Sequence, residues 1–421
     1  MGTWRSLRVA FILGSLFMLL LIIAYWDDIG GFSLYPFQDL KHDSLHSDCG
    51  SQRLSSDAAL SASTIGARSG PSVSLPITSR IPLSPEDTAQ THPEEEQKKP
   101  PWENARKEGG RNRVLAGDGD QDVRKQMIAD VCSGKTNVEF PGRTRVIEQI
   151  PYRELDHLIV DDTHQIIYCY VPKVACTNWK KVLVVLSQAL ISPSSGKPYI
   201  DPEAVPAELV HNSSLHLTFA KFWHHYGSLS RYLMALKLQR YTKFLFVRDP
   251  FVRLISAFRN KFGRPNEDFY KQFGSVMLRR FGNVSGSLPE TAAEAFAAGI
   301  KPTFQQFIAY LLDPETEKDG IFNEHWRQVY RLCHPCQVKY DFIGHLETLE
   351  EDTERLLKIL KVDHLLHFPS GAHNLTSTSW ERDWFAQIPI ATRKELYKLY
   401  EPDFEMFGYA KPDGLLQQEL D

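Results

Sequence analysis

Cysteine is scarce in this sequence, and neither sign of charge dominates it. Six cysteines in 421 residues are too few for a disulfide-rich scaffold. The formal net charge of −4 does not point to a polyanionic partner, and we expect no nucleic acid to bind. Hydrophobic residues make up 42% of the chain and charged residues 24%, as in a globular protein with a sizeable core. The length allows one large domain or two ordinary ones.

Long apolar runs are also rare, and the clearest one stands at the N-terminus. Val9 to Trp26 carries no charge and is about long enough to cross a bilayer as a helix, which needs roughly 20 residues. Two arginines precede it and two aspartates follow, so the positive-inside rule leaves the N-terminus in the cytosol. We therefore predict a cytosolic tail at 1–8 and an uncleaved anchor at 9–26, with a cleaved signal peptide as the alternative.

The next region lacks any hydrophobic period. Residues 27–122 are rich in Ser, Pro, Gly and Glu, a composition that buries too little apolar surface to offset chain entropy. We predict a flexible, disordered stem there, with the triplet Asp118-Gly119-Asp120 in a solvated turn. The folded lumenal body is expected at 123–421, starting with a helix through Cys132. Three glycosylation sequons agree with a lumenal location, at Asn212, Asn283 and Asn374.

A Walker A motif is absent, yet one stretch has the features of an anion-binding loop. Ile166 to Val171 is an apolar run rich in β-branched and aromatic residues, which predicts a buried strand ending at Pro172. A tight polar turn follows, and Trp179 opens an apolar stretch that predicts a helix to about Leu190. Backbone N–H groups at such a helix start, together with Lys173, favour binding of a phosphate group.

A second stretch repeats this pattern of strand, turn and helix. Phe244 to Val247 predicts another buried strand, and Arg248 follows it at the end where ligands bind in open α/β sheets. Asp249 suits the N-cap of the next helix and Pro250 its first position. Ser256 lies on that helix, where it can converge with Arg248 on one phosphate group.

The two stretches together resemble motifs of a known enzyme family. Pro172 to Asn178 looks like the 5′-phosphosulfate loop of the Golgi carbohydrate sulfotransferases, and Arg248 to Ser256 looks like their 3′-phosphate element. The likeness extends over the body and is to the branch that includes the HNK-1 sulfotransferase and the chondroitin 4-sulfotransferases. It implies an α/β, P-loop-like sulfotransferase fold with a central parallel sheet flanked by helices. The membrane layout agrees with a Golgi-resident transferase.

The resemblance also implies the ligands and the residues that bind them. The donor would be 3′-phosphoadenylyl sulfate (PAPS), and the acceptor the 4-hydroxyl of N-acetylgalactosamine in chondroitin, with desulfated dermatan or terminal N-acetylgalactosamine on glycoproteins as alternatives. The implied donor-binding residues are Pro172, Lys173, Val174, Ala175, Cys176, Thr177, Asn178, Arg248, Asp249, Pro250, Phe251, Val252, Arg253, Leu254, Ile255 and Ser256. From sequence, Arg253 also fits a surface or Asp-paired arginine.

Charge and chemistry suggest the remaining roles. Between His216 and Arg264 there are ten Lys or Arg and one acidic residue, which favours an anionic glycosaminoglycan acceptor. His216 is our candidate general base, because an imidazole titrates near neutrality, and Lys173 our candidate for stabilising the leaving phosphate. His325 is the alternative candidate for the base, and His325 and Trp326 are candidates for acceptor binding.

Two further expectations concern metals and disulfides. No metal-ligand cluster is evident, so we expect no metal requirement, whereas a Golgi glycosyltransferase would predict one together with a DxD triplet in the body. A non-enzymatic glycosaminoglycan-binding protein is the other alternative. Cys333-His-Pro-Cys336 stands without a second cysteine pair, which favours structural disulfide bonding over zinc binding.

Overall fold

The computed structural model describes residues 118–282, 284, 286–318, 320–370 and 378–417, and for residues 378–381 the backbone alone. The predicted tail, anchor and nearly all of the stem lie outside these residues, as do the sequons at Asn283 and Asn374. Across the described part of the chain, no helix is long and apolar enough to span a membrane.

A five-stranded sheet forms the centre of the fold. Its strands are β1 (Leu158–Asp161), β2 (Ile166–Cys169), β3 (Leu217–Thr218), β4 (Thr242–Val247) and β5 (Phe342–His345), in the order β3-β1-β2-β4-β5. The strands β2, β4 and β5 pair in parallel, with Tyr168 beside Phe244 and Phe244 beside Phe342. Their carboxyl ends therefore meet at one edge, which is where the two predicted phosphate-binding stretches begin.

The prediction of a wholly parallel sheet is corrected at one strand. β1 pairs antiparallel with both β2 and β3, so it runs against the other four strands. The cause is local: Asp162 to Gln165 form a tight turn, which joins two strands as a hairpin and cannot serve as a parallel crossover. The α/β class with parallel strands at the site is confirmed.

Fifteen α-helices surround the sheet. They are α1 (Asp118–Cys132), α2 (Cys176–Leu186), α3 (Phe219–Tyr226), α4 (Ser230–Arg240), α5 (Pro250–Phe262), α6 (Glu267–Phe269), α7 (Ser275–Phe281), α8 (Ala292–Ala297), α9 (Phe304–Leu312), α10 (Pro314–Lys318), α11 (Val329–Cys333), α12 (Leu349–Ile359), α13 (Thr378–Phe385), α14 (Ile390–Met406) and α15 (Asp413–Gln417), counted within the described residues. Short 3₁₀ turns lie at Ile147–Gln149, Tyr152–Glu154, Leu209–His211, Ser213–Leu215, Gly227–Leu229 and Leu346–Thr348, and a π turn at Tyr270–Gly274.

Two large hydrophobic cores lie within the described residues, and helix α5 belongs to the second. One covers the sheet and includes the buried indole of Trp179, whose ring lies 4.7 Å from that of Phe244. The other is mostly aromatic and packs α5, α9 and α14 around Trp326. Burial of this many aromatic side chains is a large stabilising term, since each removes roughly 150–250 Å² from water. Helix α5 is thereby fixed rigidly along its length.

Several predicted boundaries shift. Helix α1 begins at Asp118, so the triplet Asp118-Gly119-Asp120 is its first turn and not a linker turn. Helix α2 begins at Cys176 and ends at Leu186, earlier at both ends than predicted. The last long helix was expected to end before Pro402 but continues through it to Met406. The hydrogen bonds that the Asp403 carboxylate accepts from Val329 N and Tyr330 N help to hold the helix beyond the proline, where one helical bond is lost.

Disulfide bonding of Cys333 and Cys336 is confirmed, but the two cysteines do not bond to each other. Cys336 bonds to Cys132 and Cys333 bonds to Cys169. The second bond ties the end of strand β2, directly before the predicted donor loop, to helix α11. None of the described cysteines is a free thiol, which includes Cys176.

Candidate active site

The loop after strand β2 has an unusual backbone. Lys173 and Ala175 both have positive φ angles, 72° and 52°, which few residues other than glycine adopt. Such strain costs on the order of 1 kcal/mol or more per residue and occurs mainly at functional sites. A left-handed residue next to helical ones turns successive N–H groups to one side and forms an anion-binding concavity.

Helix α2 begins directly at this concavity. Ala175 is its N-cap residue and supplies no side-chain hydrogen bond, so the first N–H groups of the helix have no side-chain cap. The positive end of the helix dipole lies at the same point. The side chains of Val174 and Cys176 are buried, hence these predicted donor-binding residues contribute through their backbone. This geometry suits a phosphate or sulfate group.

The side chain of Lys173 points to helix α5. Its Nζ donates to Oδ1 of Asn260 at 2.5 Å, and only 5% of the residue is exposed. Asn260 lies one turn after Ser256 on the same face of the helix. The two predicted motifs are thus brought together, through a residue that sequence reasoning missed. The i, i+4 spacing from Ser256 is the signal that would have found Asn260.

Arg248 connects the two motifs at the other end of α5. Its guanidinium donates to the carbonyl oxygen of Lys173 at 3.4 Å. Burial lowers the pKa of Arg248, partly offset by the nearby Glu347 carboxylate. Asp249 is the N-cap residue as predicted, accepting from the N–H groups of Phe251 and Val252, and Pro250 opens the helix.

Arg253 is held inside the fold by backbone groups. Its guanidinium donates to three carbonyl oxygens, those of Pro172 (3.0 Å), Arg327 (2.7 Å) and Glu324 (2.8 Å). Only 1% of the residue is exposed, so it is not a surface arginine. The bond to Pro172 fixes the residue before Lys173, and the assignment of Arg253 to donor binding stays a prediction.

The remaining residues of the motif lie on two faces of helix α5, one buried and one partly exposed. Phe251, Leu254 and Ile255 are fully buried in the aromatic core, and their assignment as donor-binding residues stays a prediction. Val252, Ser256 and Asn260 are partly exposed and share one face, because they are spaced by four residues. This face is the part of α5 that remains available to a donor.

On the opposite wall of the loop, Asn178 and Thr177 differ in orientation. The Asn178 side chain donates to the carbonyl oxygen of Pro369 at 3.2 Å, a packing contact that fixes the first turn of α2. The hydroxyl of Thr177 lies 3.3 Å from Nε2 of His211. A histidine is therefore in contact with the donor loop, but it is not the one that we selected from sequence.

Two histidines lie near the loop, and their surroundings differ. His216 is buried, its Nε2 donates to the carbonyl of Val210 at 2.7 Å, and burial lowers its pKa to about 4. Burial and then the positive charges of Lys180, His216, Lys261 and Lys173 lower the pKa of His211 to about 3. The influence of Lys173 and Lys261 places His211 among the cations of the site.

Two buried lysines add to this positive region. Lys261 is 2% exposed, with its Nζ 4.4 Å from the ring of Phe269. Lys180 is 4% exposed, lies 3.9 Å from the ring centre of Tyr170, and has its pKa lowered to about 8 by burial. Lys173 and Lys261 both act on His211 and add positive charge there, whereas Lys180 also lies near the carboxylates of Glu324 and Asp156.

The two predicted acceptor-binding residues are both buried. Trp326 is fully inside the aromatic core, with the ring of Phe273 4.9 Å away. A buried indole packs the core, and the assignment of Trp326 to acceptor binding stays a prediction. His325 is 1% exposed, and its Nδ1 lies 2.7 Å from Oδ1 of Asn323. By contrast, Asn212 is exposed, as a glycosylation site requires.

No cluster of three or more His, Cys, Asp or Glu side chains is arranged to hold a metal ion in the part of the chain that the structure describes. The expectation of metal-independent chemistry stays a prediction.

Comparison with known proteins identifies the family. Residues 156–410 match the model of the sulfotransferase family, and they include both motifs and all the cations above. The chain is 49% identical to carbohydrate sulfotransferase 12 of Mus musculus over 98% of its length and 99% of that protein. It is 50% identical to carbohydrate sulfotransferase 12 of Xenopus laevis over 96% of its length and 97% of that protein.

A more distant relative matches a smaller share of the chain. Carbohydrate sulfotransferase 11 of Rattus norvegicus is 39% identical over 70% of this chain and 77% of that protein. No solved structure matches the chain. The resemblance that the two motifs predicted is confirmed: the chain belongs to the sulfotransferase family, and its relatives there are carbohydrate sulfotransferases.

Proposed function

We propose that the protein transfers the sulfuryl group of PAPS to the 4-hydroxyl of N-acetylgalactosamine in chondroitin. The observation that carries the proposal is the meeting of two anion-binding elements at one edge of the sheet: the uncapped start of helix α2 and the Arg248–Ser256 stretch. The names of the relatives support a carbohydrate acceptor. The basic stretch from His216 to Arg264 supports an anionic one.

Different residues bind the two phosphate positions of the donor. Backbone N–H groups of 174–178 bind the 5′-phosphosulfate, while Arg248 and Ser256 bind the 3′-phosphate. The Lys173 ammonium stabilises the charge that develops on the departing 5′-phosphate as the S–O bond breaks. Asn260 holds that ammonium in place before the donor arrives, so little reorganisation is needed in the transition state.

For the general base we propose His211 in place of His216. His211 contacts the donor loop through Thr177, whereas the contact of His216 is to the backbone of Val210. Burial and then the neighbouring cations depress the pKa of His211, and the negative charges of the donor oppose the cations and so raise that pKa. His211 thereby becomes a stronger base for the acceptor hydroxyl proton when the donor is bound.

We further propose a Golgi location, with the anchor at 9–26 in the membrane, and the body in the lumen. The two described disulfides, Cys132–Cys336 and Cys169–Cys333, agree with an oxidising compartment. The exposed sequon at Asn212 also agrees with it.

The experiment that tests the function uses the full-length protein in detergent with radiolabelled sulfate donor. Desulfated chondroitin, desulfated dermatan and glycans ending in N-acetylgalactosamine are offered in parallel, and the sulfated position is mapped by disaccharide analysis. We expect chondroitin labelled at the 4-position, with no loss on adding a metal chelator. Absence of transfer to every acceptor contradicts the enzyme, and transfer only to the 6-position contradicts the proposed site of sulfation.

A further inference from the structure

A second cavity lies beside the donor face of helix α5. It has a volume of about 470 Å³ and is formed by the carboxyl end of α5, the start of α9, and Trp384 of α13. This volume is within the range of about 300–1,000 Å³ that is usual for small-molecule sites. None of the residue roles derived above explains it.

One wall of the cavity is a rigid aromatic surface. The ring of Phe304 lies 5.2 Å from that of Trp384 and 5.4 Å from that of Phe258, and the Phe258 and Trp384 rings are 5.8 Å apart. Because the rings brace one another, the wall keeps its shape without a ligand. The rings meet edge to face, with interplanar angles of 79°, 68° and 71°, and they offer apolar contact to the C–H groups of a sugar ring.

The rim of the cavity is positively charged. Arg259, Arg264 and Lys301 line it, and no acidic residue is among the residues that do so. Arg264 and Lys301 are exposed, so their charges are available to a ligand that arrives from solvent. Aromatic wall and cationic rim together fit a sugar that carries a carboxylate.

The cavity lies at the carboxyl end of α5, the end that carries Asn260. Arg259 lines the cavity and directly precedes Asn260, the residue that accepts from the Lys173 ammonium. Arg248, which we assign to the 3′-phosphate, precedes the other end of the helix, although burial and, more weakly, the charge of Arg259 lower its pKa. Along the helix, the cavity is therefore nearer to Asn260 than to Arg248.

We propose that this cavity binds a uronic acid unit of the acceptor chain, next to the N-acetylgalactosamine that receives the sulfate. The carboxylate pairs with Arg264 and Lys301, and the sugar ring packs on Trp384 and Phe304. The proposal rests on the proposed function, because it requires an anionic glycosaminoglycan as the acceptor. It explains how an enzyme of this kind selects an acidic polymer over a neutral glycan.

The test compares steady-state kinetics of the full-length protein with those of Lys301→Ala and Arg264→Ala. For each, KM is measured for PAPS, for desulfated chondroitin and for chondroitin whose uronic carboxyls have been reduced to alcohols. We expect KM for chondroitin to rise about 5- to 10-fold in each variant, because each loses one charged contact at a solvent-accessible site. KM for PAPS and kcat stay as in the wild type, and the carboxyl-reduced acceptor is used equally poorly by all. Lys358→Ala, at an exposed position on α12, is the matched control and should change nothing.

Two results overturn the proposal. One is a KM for chondroitin that neither variant changes. The other is a rise in KM for PAPS with the acceptor unaffected, which would assign the cavity to the nucleotide base. If the wild type transfers no sulfate, the proposed function is contradicted but the role of the cavity is not yet tested. Equilibrium binding of a fluorescent chondroitin oligosaccharide then tests whether the cavity binds the acceptor. Wild type must then bind it 5- to 10-fold more tightly than Lys301→Ala does, and equal affinities contradict the proposal.

Discussion

The Arg253→Met variant tests whether Arg253 holds the donor loop in position. Methionine keeps the apolar stem of the side chain but leaves the carbonyl oxygens of Pro172, Glu324 and Arg327 without their donor. Each such bond to a buried charged group contributes about 1.5–3 kcal/mol, and losing one partner of a buried polar set costs about 3–5 kcal/mol in all. We therefore expect a loss of about 4 kcal/mol in the free energy of unfolding, or roughly 10 °C in Tm.

The same variant should weaken donor binding without touching the donor. Arg253 fixes the Pro172 carbonyl, and the next residue, Lys173, has a φ angle of 72° that the loop must maintain. Without the bond from Arg253, the loop relaxes to a more common backbone conformation. Ligand binding must then supply the strain energy of the native loop, which is on the order of 1 kcal/mol. We expect the Kd for 3′-phosphoadenosine 5′-phosphate to rise roughly tenfold, which corresponds to about 1.4 kcal/mol.

The assay is thermal unfolding together with calorimetric titration of that nucleotide, both on the full-length protein. Arg240→Met, at an exposed position in the last turn of α4, is the matched control and should change neither quantity. A Tm within 2 °C of the wild type would refute the structural role of Arg253. Unchanged nucleotide affinity in a clearly destabilised variant would refute its link to the donor loop.

Three further predictions address the chemistry. Lys173→Ala should lower kcat roughly 100-fold in initial-rate assays, and a change in KM alone would contradict its role at the leaving phosphate. The pKa of His211, about 3 without ligand, should rise when 3′-phosphoadenosine 5′-phosphate binds, and NMR titration with and without nucleotide checks this. Burial raises the pKa of Asp249 from 3.8 to about 6, so the folded protein binds an extra proton between these values and loses stability as the pH rises through them. Asp249→Asn keeps the cap and should be less pH-dependent in Tm over that window, whereas Asp249→Ala should cost about 1 kcal/mol at every pH.

Features set by neighbours in the chain were predictable from the sequence. The apolar run from Ile166 predicted strand β2, and Asp249-Pro250 predicted the start of α5, because strand burial and N-capping depend on adjacent residues. The start of α2 was missed by three residues, since Cys176 to Asn178 have no strong helical preference of their own. Tertiary packing decides such cases.

Features that depend on distant parts of the chain could not be predicted. The partners of Cys333 and Cys336 lie 164 and 204 residues away, and spacing alone does not select them. Arg253 seemed equivalent to Arg248 in sequence, and only the fold shows that three carbonyl groups surround it. Likewise His211 gave no local signal, because its contact with Thr177 spans 34 residues.

The most direct test of the account is whether the two motifs bind two different phosphates of one donor. Nucleotide affinity is measured for wild type and Arg248→Ala with 3′-phosphoadenosine 5′-phosphate and with adenosine 5′-phosphate, which lacks the 3′-phosphate. Loss of a charged contact to phosphate is worth about 1.5–3 kcal/mol, so we expect the first affinity to fall about 10- to 100-fold in the variant. The second affinity should fall far less, because there only the 3.4 Å bond from Arg248 to the Lys173 carbonyl is lost. An equal loss for both nucleotides would contradict the assignment of Arg248 to the 3′-phosphate, and with it the two-phosphate site on which the proposed function depends.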